Sequence, residues 1–462
     1  MSADRSDRES ILEGVLEDVS PSDEERDELR EAYEEVRERA LEALDKEGVG
    51  GDVTLVGSAA RDTWLSGDRD IDVFLVLPPE LDREEFESVG LEVGKEVFPD
   101  GTVEYAEHPY VQGKQEGYDV DIVPCYDLDS TDDLRSAVDR TPFHNEYVKE
   151  ADVEGDEVRL LKAFARGAGV YGSDLRTRGF SGYLCELLVL HYGGFSSVVG
   201  AGADWEEGVV IDIEGHGEGT EEFDDPLVVI DPTDPERNVA AVLSLDSFAR
   251  FVDRCRRWER EPSEDLFYPE EPEPMDADEL AEVLEGRGTE LVCVSFGAPD
   301  VVEDQLYPQL EKTKTSLVEE LERRGFDVLR STVAADGSCL ILVEMNIAEQ
   351  SRVEKHFGPP VYVRKHAESF RKKYEEDEDA VGPYIEDGRY VVEREREHTT
   401  ARGFVESDDV FDLSIGKHVK ESMERDYEVK SNEDCAALLD EFGVEFARYF
   451  NPKTPSGRGL NE

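Results

Sequence analysis

The chain has 462 residues, with 50 Lys and Arg against 114 Asp and Glu, for a formal charge of −64 at pH 7. Hydrophobic residues at 38% and aromatics at 9% supply enough apolar material for packed cores, which excludes wholesale disorder. No run approaches ~18 apolar residues, so no membrane span is expected, and the charged start MSADRSDRESILEG lacks the apolar stretch of a secretory signal, which points to the cytoplasm.

In chain order, Ser22-Asp23-Glu24-Glu25 after Pro21 reads as a capping box. Leu29, Ala32, Tyr33, Val36, Ala40, Leu41 and Leu44 then recur mostly every three or four residues, an amphipathic helix ending near Gly48 and Gly50. Residues 53–56 read as a short strand, and Gly57-Ser58 turns the chain into a brief helix around 61–65. Residues 71–77 and 120–123 are further strands. Helices are expected over 159–167, over 182–192 and within 239–258. The acidic, Pro-rich stretch 259–276 reads as a linker, and 214–225 as a solvated loop. Beyond it, 290–296, 326–333 and 338–345 read as strands and 305–324 as a helix, a β-α-β-β order that suggests a small α+β sheet domain. Residues 361–363 and 384–393 add strands, and 417–425 and 433–449 add helices.

The acid excess is spread along the chain rather than gathered in a tail. Self-repulsion at this charge strains a compact fold in dilute buffer. Multimolar salt shortens the screening length to ~3 Å or less and removes most of that strain, so a halophilic protein is expected. The six cysteines are widely separated with no C-x-x-C pair, which speaks for a reducing compartment and against a disulfide or zinc framework.

The chemistry concentrates in GSAARDTWLSGDRDIDVFLVLP at 57–78. Asp70 and Asp72 stand two apart at the start of an apolar strand, so both carboxylates share a sheet face, ~7 Å apart along the backbone. Two acids at the mouth of a buried strand are costly unless cations neutralise them, and a hard divalent ion such as Mg²⁺ suits such oxygens. Ser58, in a strand-to-helix turn, can hold a phosphate. Asp121 lies on a later strand-like run; Asp119 shares its face and competes, and Asp121 is preferred for its place nearer the apolar Ile-Val-Pro end.

Gly57-Ser58, Asp70-x-Asp72 and a later strand acid resemble the nucleotidyltransferase superfamily with the polymerase-β-type fold. AEHPYVQG at 106–113, VDIVPCY at 120–126, SAVDRTPFH at 136–144, VRLLKAFARGAGVYG at 158–172, RGFSGYLCELLV at 178–189, DPTDPERNVAAVLS at 231–244 and LYPQLE at 306–311 narrow it. Together they resemble the archaeal class I CCA-adding enzymes, the tRNA nucleotidyltransferases, over about 25–450. The resemblance implies an α+β protein with a nucleotidyltransferase head over 1–150, a helical central domain over 151–268 and a C-terminal α+β RNA-binding region over 269–462. It implies template-independent addition of CCA to tRNA from CTP and ATP, with a two-ion Mg²⁺ site on Asp70, Asp72 and Asp121. The family often carries Glu where this chain has Asp70. Ser58 and Arg61 match residues that contact the incoming nucleotide, His144, Lys162 and Tyr171 match triphosphate contacts, and Arg237 matches the arginine that reads the base edge. Taken alone, Lys162 reads as an exposed helix lysine, His144 as a capping or packing residue, Tyr171 as a core residue, and Arg237 as a partner of Asp231 or Asp234.

Other superfamily RNA polymerases of poly(A) or 2′-5′ oligoadenylate type, and a non-catalytic RNA- or nucleotide-binding protein, are the competing readings. A homodimer is left open. For tRNA, local cationic clusters remain at Arg254/Arg256/Arg257, Lys312/Lys314, Arg323/Arg324 and Arg364/Lys365 with Arg371/Lys372/Lys373; the last, with Tyr362, Phe370 and Tyr374 nearby, is the favoured RNA contact. Recognition of A-form shape and 2′-hydroxyls is expected rather than of sequence.

Overall fold

A computed structural model describes residues 2–105, 107–217, 223–269 and 272–452. The chain divides into two units between residues 270 and 271. The first opens with α1 (Ser2–Val19) and α2 (Asp23–Glu47). Ser22 and Glu25 form the expected reciprocal cap, and Gly48 ends α2 at φ 70°. Then follow β1 (Asp52–Val56), α3 (Gly57–Arg61), β2 (Asp70–Leu77), α4 (Arg83–Val97), β3 (Thr102–Tyr105), β4 (Pro109–Gln115) and β5 (Tyr118–Tyr126). The strands form one sheet of order β1-β2-β5-β4-β3, in which β2 and β5 are parallel and the other pairs antiparallel.

The period of two sorts the residues of β2 and β5. Ile71, Val73, Leu75 and Leu77 pack with Val120 and Ile122 against Ala32, Val36 and Ala40 of α2 and Phe86 and Val93 of α4. Asp70, Asp72, Asp119 and Asp121 therefore share the opposite face. The brief helix expected around 61–65 instead starts at Gly57 and stops at Arg61, because Asp62 takes a left-handed φ of 50° and caps it.

Next come α5 (Thr141–Glu150), α6 (Gly155–Gly167), α7 (Gly182–Tyr192), α8 (Phe195–Gly202), β6 (Val209–Asp212), β7 (Leu227–Asp231), β8 (Asp234–Asn238) and α9 (Leu245–Arg260). Phe164, Phe180, Leu187, Phe195, Phe251 and Trp258 build their core, and Val15 of α1 packs into it. Among the described residues no single helix is long and apolar enough to cross a membrane; α7 and α8 pass such a test only as a pair bent by 93°, and their apolar side chains fill this core.

Two expectations fail here. The stretch 259–276 is not linker throughout: Leu266 and Phe267, in a tight turn, are buried in the same core. Arg254 is no surface cation. It is buried, with its guanidinium on the carbonyl oxygens of Leu266, at 3.0 Å, and Gly167, so its charge caps backbone rather than meeting RNA.

The second unit contains α10 (Ala277–Arg287), β9 (Glu290–Gly297), α11 (Glu303–Arg323), β10 (Asp327–Asp336), β11 (Ser338–Ile347), β12 (Val353–Pro360), α12 (Arg364–Tyr374), β13 (Val381–Glu386), β14 (Arg389–Glu395), α13 (Ala401–Val405), α14 (Lys417–Met423), β15 (Glu428–Ser431) and α15 (Leu439–Phe450). One sheet has order β10-β11-β9-β15 and a smaller one β12-β14-β13. The β-α-β-β order holds. Residues 361–363 are not a strand but lead into α12, and the single strand expected at 384–393 is a hairpin of β13 and β14 that turns at Asp387 and Gly388, both at positive φ. All six cysteines are free and buried.

Candidate active site

Register brings the acids together. β2 and β5 pair Asp70 with Asp119 and Asp72 with Asp121, so four carboxylates stand side by side on one face. Lys114 lies 2.7 Å from Asp119 and neutralises it. Asp121 accepts only a neutral donor, Gln112 Nε2, at 2.9 Å. Among the described residues, Asp70, Asp72 and Asp121 have no ion-pair partner. Burial pushes Asp72 up to about 6, helped by the charges of Asp121 and Asp70. Burial also raises Asp121, with Asp70 adding to it against the Gln112 bond, and raises Asp70, with Asp68 and Asp119 adding to it. Three carboxylates held above their ordinary range without an ion-pair partner, the charge of Arg61 opposing the rise only at Asp72, are a charge deficit, and that is the environment a divalent cation relieves.

β1 runs antiparallel to β2 and pairs Val56 with Asp72, so the turn into α3 falls beside that carboxylate. A Cβ on Gly57 would stand 2.5 Å from Asp72 Oδ2, and Gly57 has φ +71°; only glycine allows this approach.

The other wall is α6. Arg159, Lys162 and Arg166 sit at i, i+3 and i+7, on one helical face, and hold the segment after α3. Arg159 bonds Trp64 O at 3.1 Å and Asp62 Oδ1 at 2.9 Å, Lys162 bonds Thr63 O at 2.8 Å, and Arg166 pairs with Asp68 at 2.9 Å. Lys162 is only 1% exposed, so it is not a solvated helix lysine; burial lowers its pKa, against the charge of Glu186. Arg61 pairs with the buried Glu186 of α7, Nη2 to Oε2 at 2.8 Å. Between these walls lies a cleft of about 360 Å³ lined by Gly57, Ser58, Arg61, Trp64, Asp68, Asp70, Asp72, Lys162, Arg166, Tyr171, Gly182 and Tyr183.

Asp121, His144 and Arg237 stand outside that lining. Asp121 lies one strand over. His144 Nε2 and Arg237 Nη1 each meet Asp231 Oδ2 at 2.7 Å, and His144 stacks on Tyr183 with ring centres 4.1 Å apart. Of its two candidate partners Arg237 thus takes Asp231; Asp234 is held by Arg140 at 2.7 Å. Arg237 lines a separate open groove of about 540 Å³.

Sequence reasoning missed Asp68, Arg166, Tyr183 and Glu186 as parts of this region, and named Asp231 only as a partner of Arg237. Glu186 carried a signal, being the lone acid of the otherwise apolar α7; a charge there needs a buried partner. Glu397, His398 and Asp409 in the second unit also have ligand atoms within 4.8 Å of one another. Arg324 lies 3.7 Å from both carboxylates, so a cation already serves them.

Paired strand acids beside a Gly-Ser turn, on an antiparallel-edged sheet backed by two helices, define a nucleotidyltransferase head, and the model of the nucleotidyltransferase domain matches residues 36–144. That of the tRNA nucleotidyltransferase second domain matches 156–268, and that of the CCA-adding enzyme C-terminal domain matches 287–432. The chain is 48% identical to the CCA-adding enzyme of Haloarcula marismortui, over 96% of this chain and 99% of that one. It is 49% identical to that of Halorubrum lacusprofundi over the same shares, and 44% identical to that of Methanosarcina barkeri over 94% and 96%. The chain belongs to the CCA-adding enzyme family.

Proposed function

We propose that the cleft between β2 and α6 is where this enzyme joins CMP, CMP and then AMP to the 3′ end of tRNA, from CTP and ATP, without a nucleic-acid template and in the cytoplasm. The observation that carries the reading is the juxtaposition of an acid face without ion-pair partners with the buried Lys162 and the half-buried Arg61 across one small cleft. Nucleotidyl transfer asks a protein for positioning and charge placement more than for covalent chemistry. The acid face offers oxygen donors suited to hard divalent cations. Two Mg²⁺ ions held by Asp70, Asp72 and Asp121 would neutralise phosphate charge and acidify the RNA 3′-hydroxyl. Lys162 and Arg61 offer fixed positive charge to the triphosphate, and the Ser58 hydroxyl and Tyr171 add neutral contacts. His144 adds a further contact for the triphosphate, and Arg237, held with it on Asp231, offers a planar donor fork for the base edge.

Incubating the protein with CTP, ATP, Mg²⁺ and tRNA lacking its 3′ end, in concentrated KCl, tests this. Addition of C, C and A in that order is the expected result. Addition of A alone, indifferent to tRNA shape, would instead select a poly(A)-type polymerase.

A further inference from the structure

We propose that Glu186 is a positioning residue for nucleotide binding: a single carboxylate on α7, outside the nucleotidyltransferase sheet, sets the orientation of Arg61 and Lys162, two of the three cations that line the cleft. The proposal rests on the reading of the cleft given above. Glu186 is fully buried and faces Arg61, the last residue of α3, and Thr63 just beyond it. Oε1 accepts from Arg61 Nε at 3.0 Å and from Thr63 Oγ1 at 2.5 Å, and Oε2 lies 2.8 Å from Arg61 Nη2. Asn145 Oδ1 takes Arg61 Nη1 at 3.1 Å. Two nitrogens of one guanidinium, Nε and Nη1, are thereby hydrogen-bonded on different partners while Nη2 stays within ion-pair range, which orients the fork as well as placing it.

The second cation is reached through Thr63. A carboxylate can only accept, so the Thr63 hydroxyl must donate to Glu186, which leaves its lone pairs free for Lys162. Lys162 Nζ indeed bonds the Thr63 carbonyl at 2.8 Å and lies 3.4 Å from its Oγ1. Nζ also lies beside the first residue of α7, Gly182, where a Cβ would come to 3.4 Å of it, ordinary contact distance. A buried pair of this kind adds little net stability compared with apolar residues of equal volume. What it supplies is direction: two long, flexible cationic side chains are held in one orientation before the nucleotide arrives, which lowers the ordering cost of binding.

A double-mutant cycle tests this with Glu186→Gln, Arg61→Gln and the pair, reading KM and kcat for CTP and ATP on tRNA substrates in concentrated KCl. Glu186→Gln should raise KM for both nucleotides alike by about 10-fold, with kcat within about 3-fold and tRNA affinity unchanged, because the strand acids are untouched. In the Arg61→Gln background the same change should cost less than about 3-fold, since its main target is gone. An equal cost in both backgrounds, or an unchanged KM, overturns the proposal. Should Glu186→Gln fail to fold, Thr63→Val cuts the relay to Lys162 while leaving Glu186 paired; KM should rise about 3-fold, and an unchanged KM counts against the relay. Wild-type protein inactive on tRNA would sink the reading of the cleft and this proposal with it. Wild-type activity with an unaltered KM in Glu186→Gln sinks the proposal alone.

Discussion

Asp72 and Asp231 are both acids at the end of an apolar strand near the same cleft, yet their surroundings are opposite. Around Asp72, burial and the neighbouring charges of Asp121 and Asp70 outweigh the opposing charge of Arg61 and lift it to about 6. At Asp231 burial acts the same way, but the bond and charge of His144, the Thr233 backbone and Arg237 outweigh it and hold the carboxyl well below its usual range. Glu186 stands with Asp231: fully buried and paired with Arg61. The difference separates two uses of a buried carboxylate. One that the chain has already neutralised is part of the frame that orients other groups. One that the chain leaves in deficit is reserved for a charge from outside.

The largest expected effect tests the second half of that contrast. Asp72→Asn should lower CMP and AMP incorporation by roughly 10³-fold or more, the several kcal/mol of transition-state stabilisation that bound cations supply, while filter binding shows tRNA affinity retained. Activity within tenfold of wild type would remove Asp72 from the reaction. Next in size is the first half. Asp231→Asn should cost about 3 kcal/mol of folding stability, because it leaves Arg237 and His144 facing a site with no counter-charge. Denaturant unfolding in concentrated KCl measures it, and a loss below about 1 kcal/mol would show that Asp231 is not holding the frame.

Stability should respond in the reverse sense at Asp72. Its pKa is raised from 3.8 to about 6 in the folded protein. The contribution of this group to stability is therefore fully present below the unfolded value and is lost as the pH rises through about 6. Asp72→Asn should then stabilise the metal-free protein by about 1–3 kcal/mol at pH 7 and by almost nothing at pH 4. Asp231 carries the opposite sign: its contribution is present above the ordinary carboxylate range and disappears on acidification. Thermal scans of both variants with EDTA at the two pH values read the contrast directly, and parallel behaviour of the two would erase it.

How much of this was legible in the sequence follows the range of the interactions. Asp70 and Asp72 were readable because period two and a nearby Gly-Ser turn are local patterns. Asp119 and Asp121 share a face and a strand, and along the chain only the apolar Ile-Val-Pro end after Asp121 favours one over the other; the physical difference is Lys114, brought alongside Asp119 by the β4–β5 pairing. Lys162 on its own reads as an exposed helix lysine, and only the fold of the 61–68 segment over α6 buries it. The linker reading of 259–276 followed bulk composition, which hid Leu266 and Phe267 among acids and prolines. Val361-Tyr362-Val363 has strand propensity, but Pro360 closes β12 and the chain turns into α12 at Arg364, so local preference lost to a prolyl boundary.

The same rule extends to cations, where the expected effect is smallest. On α12, Arg364 pairs with Glu368 at 2.7 Å and Arg371 with Glu375 at 2.8 Å, the arrangement of an ordinary solvated helix face. Lys365 and Lys372 lie seven residues apart on one side, form no ion pair among the described residues, and line an open groove of about 510 Å³ with Ser369 and the paired Arg364 and Glu368. Tyr362, 84% exposed, lies three residues before Lys365. If uncompensated charge again marks what comes from outside, the partner here is a phosphate backbone. Changing Lys365 and Lys372 together to Gln should weaken tRNA binding about 3- to 5-fold at moderate KCl and reduce the slope of log affinity against log salt by about 1 to 2. Changing Arg364 and Arg371 together should do less, since their charges are already spent on neighbouring acids. KM for CTP should not move in either variant. Equal losses from the two pairs would mean that net charge on the helix, rather than unpaired charge, governs its contact with RNA.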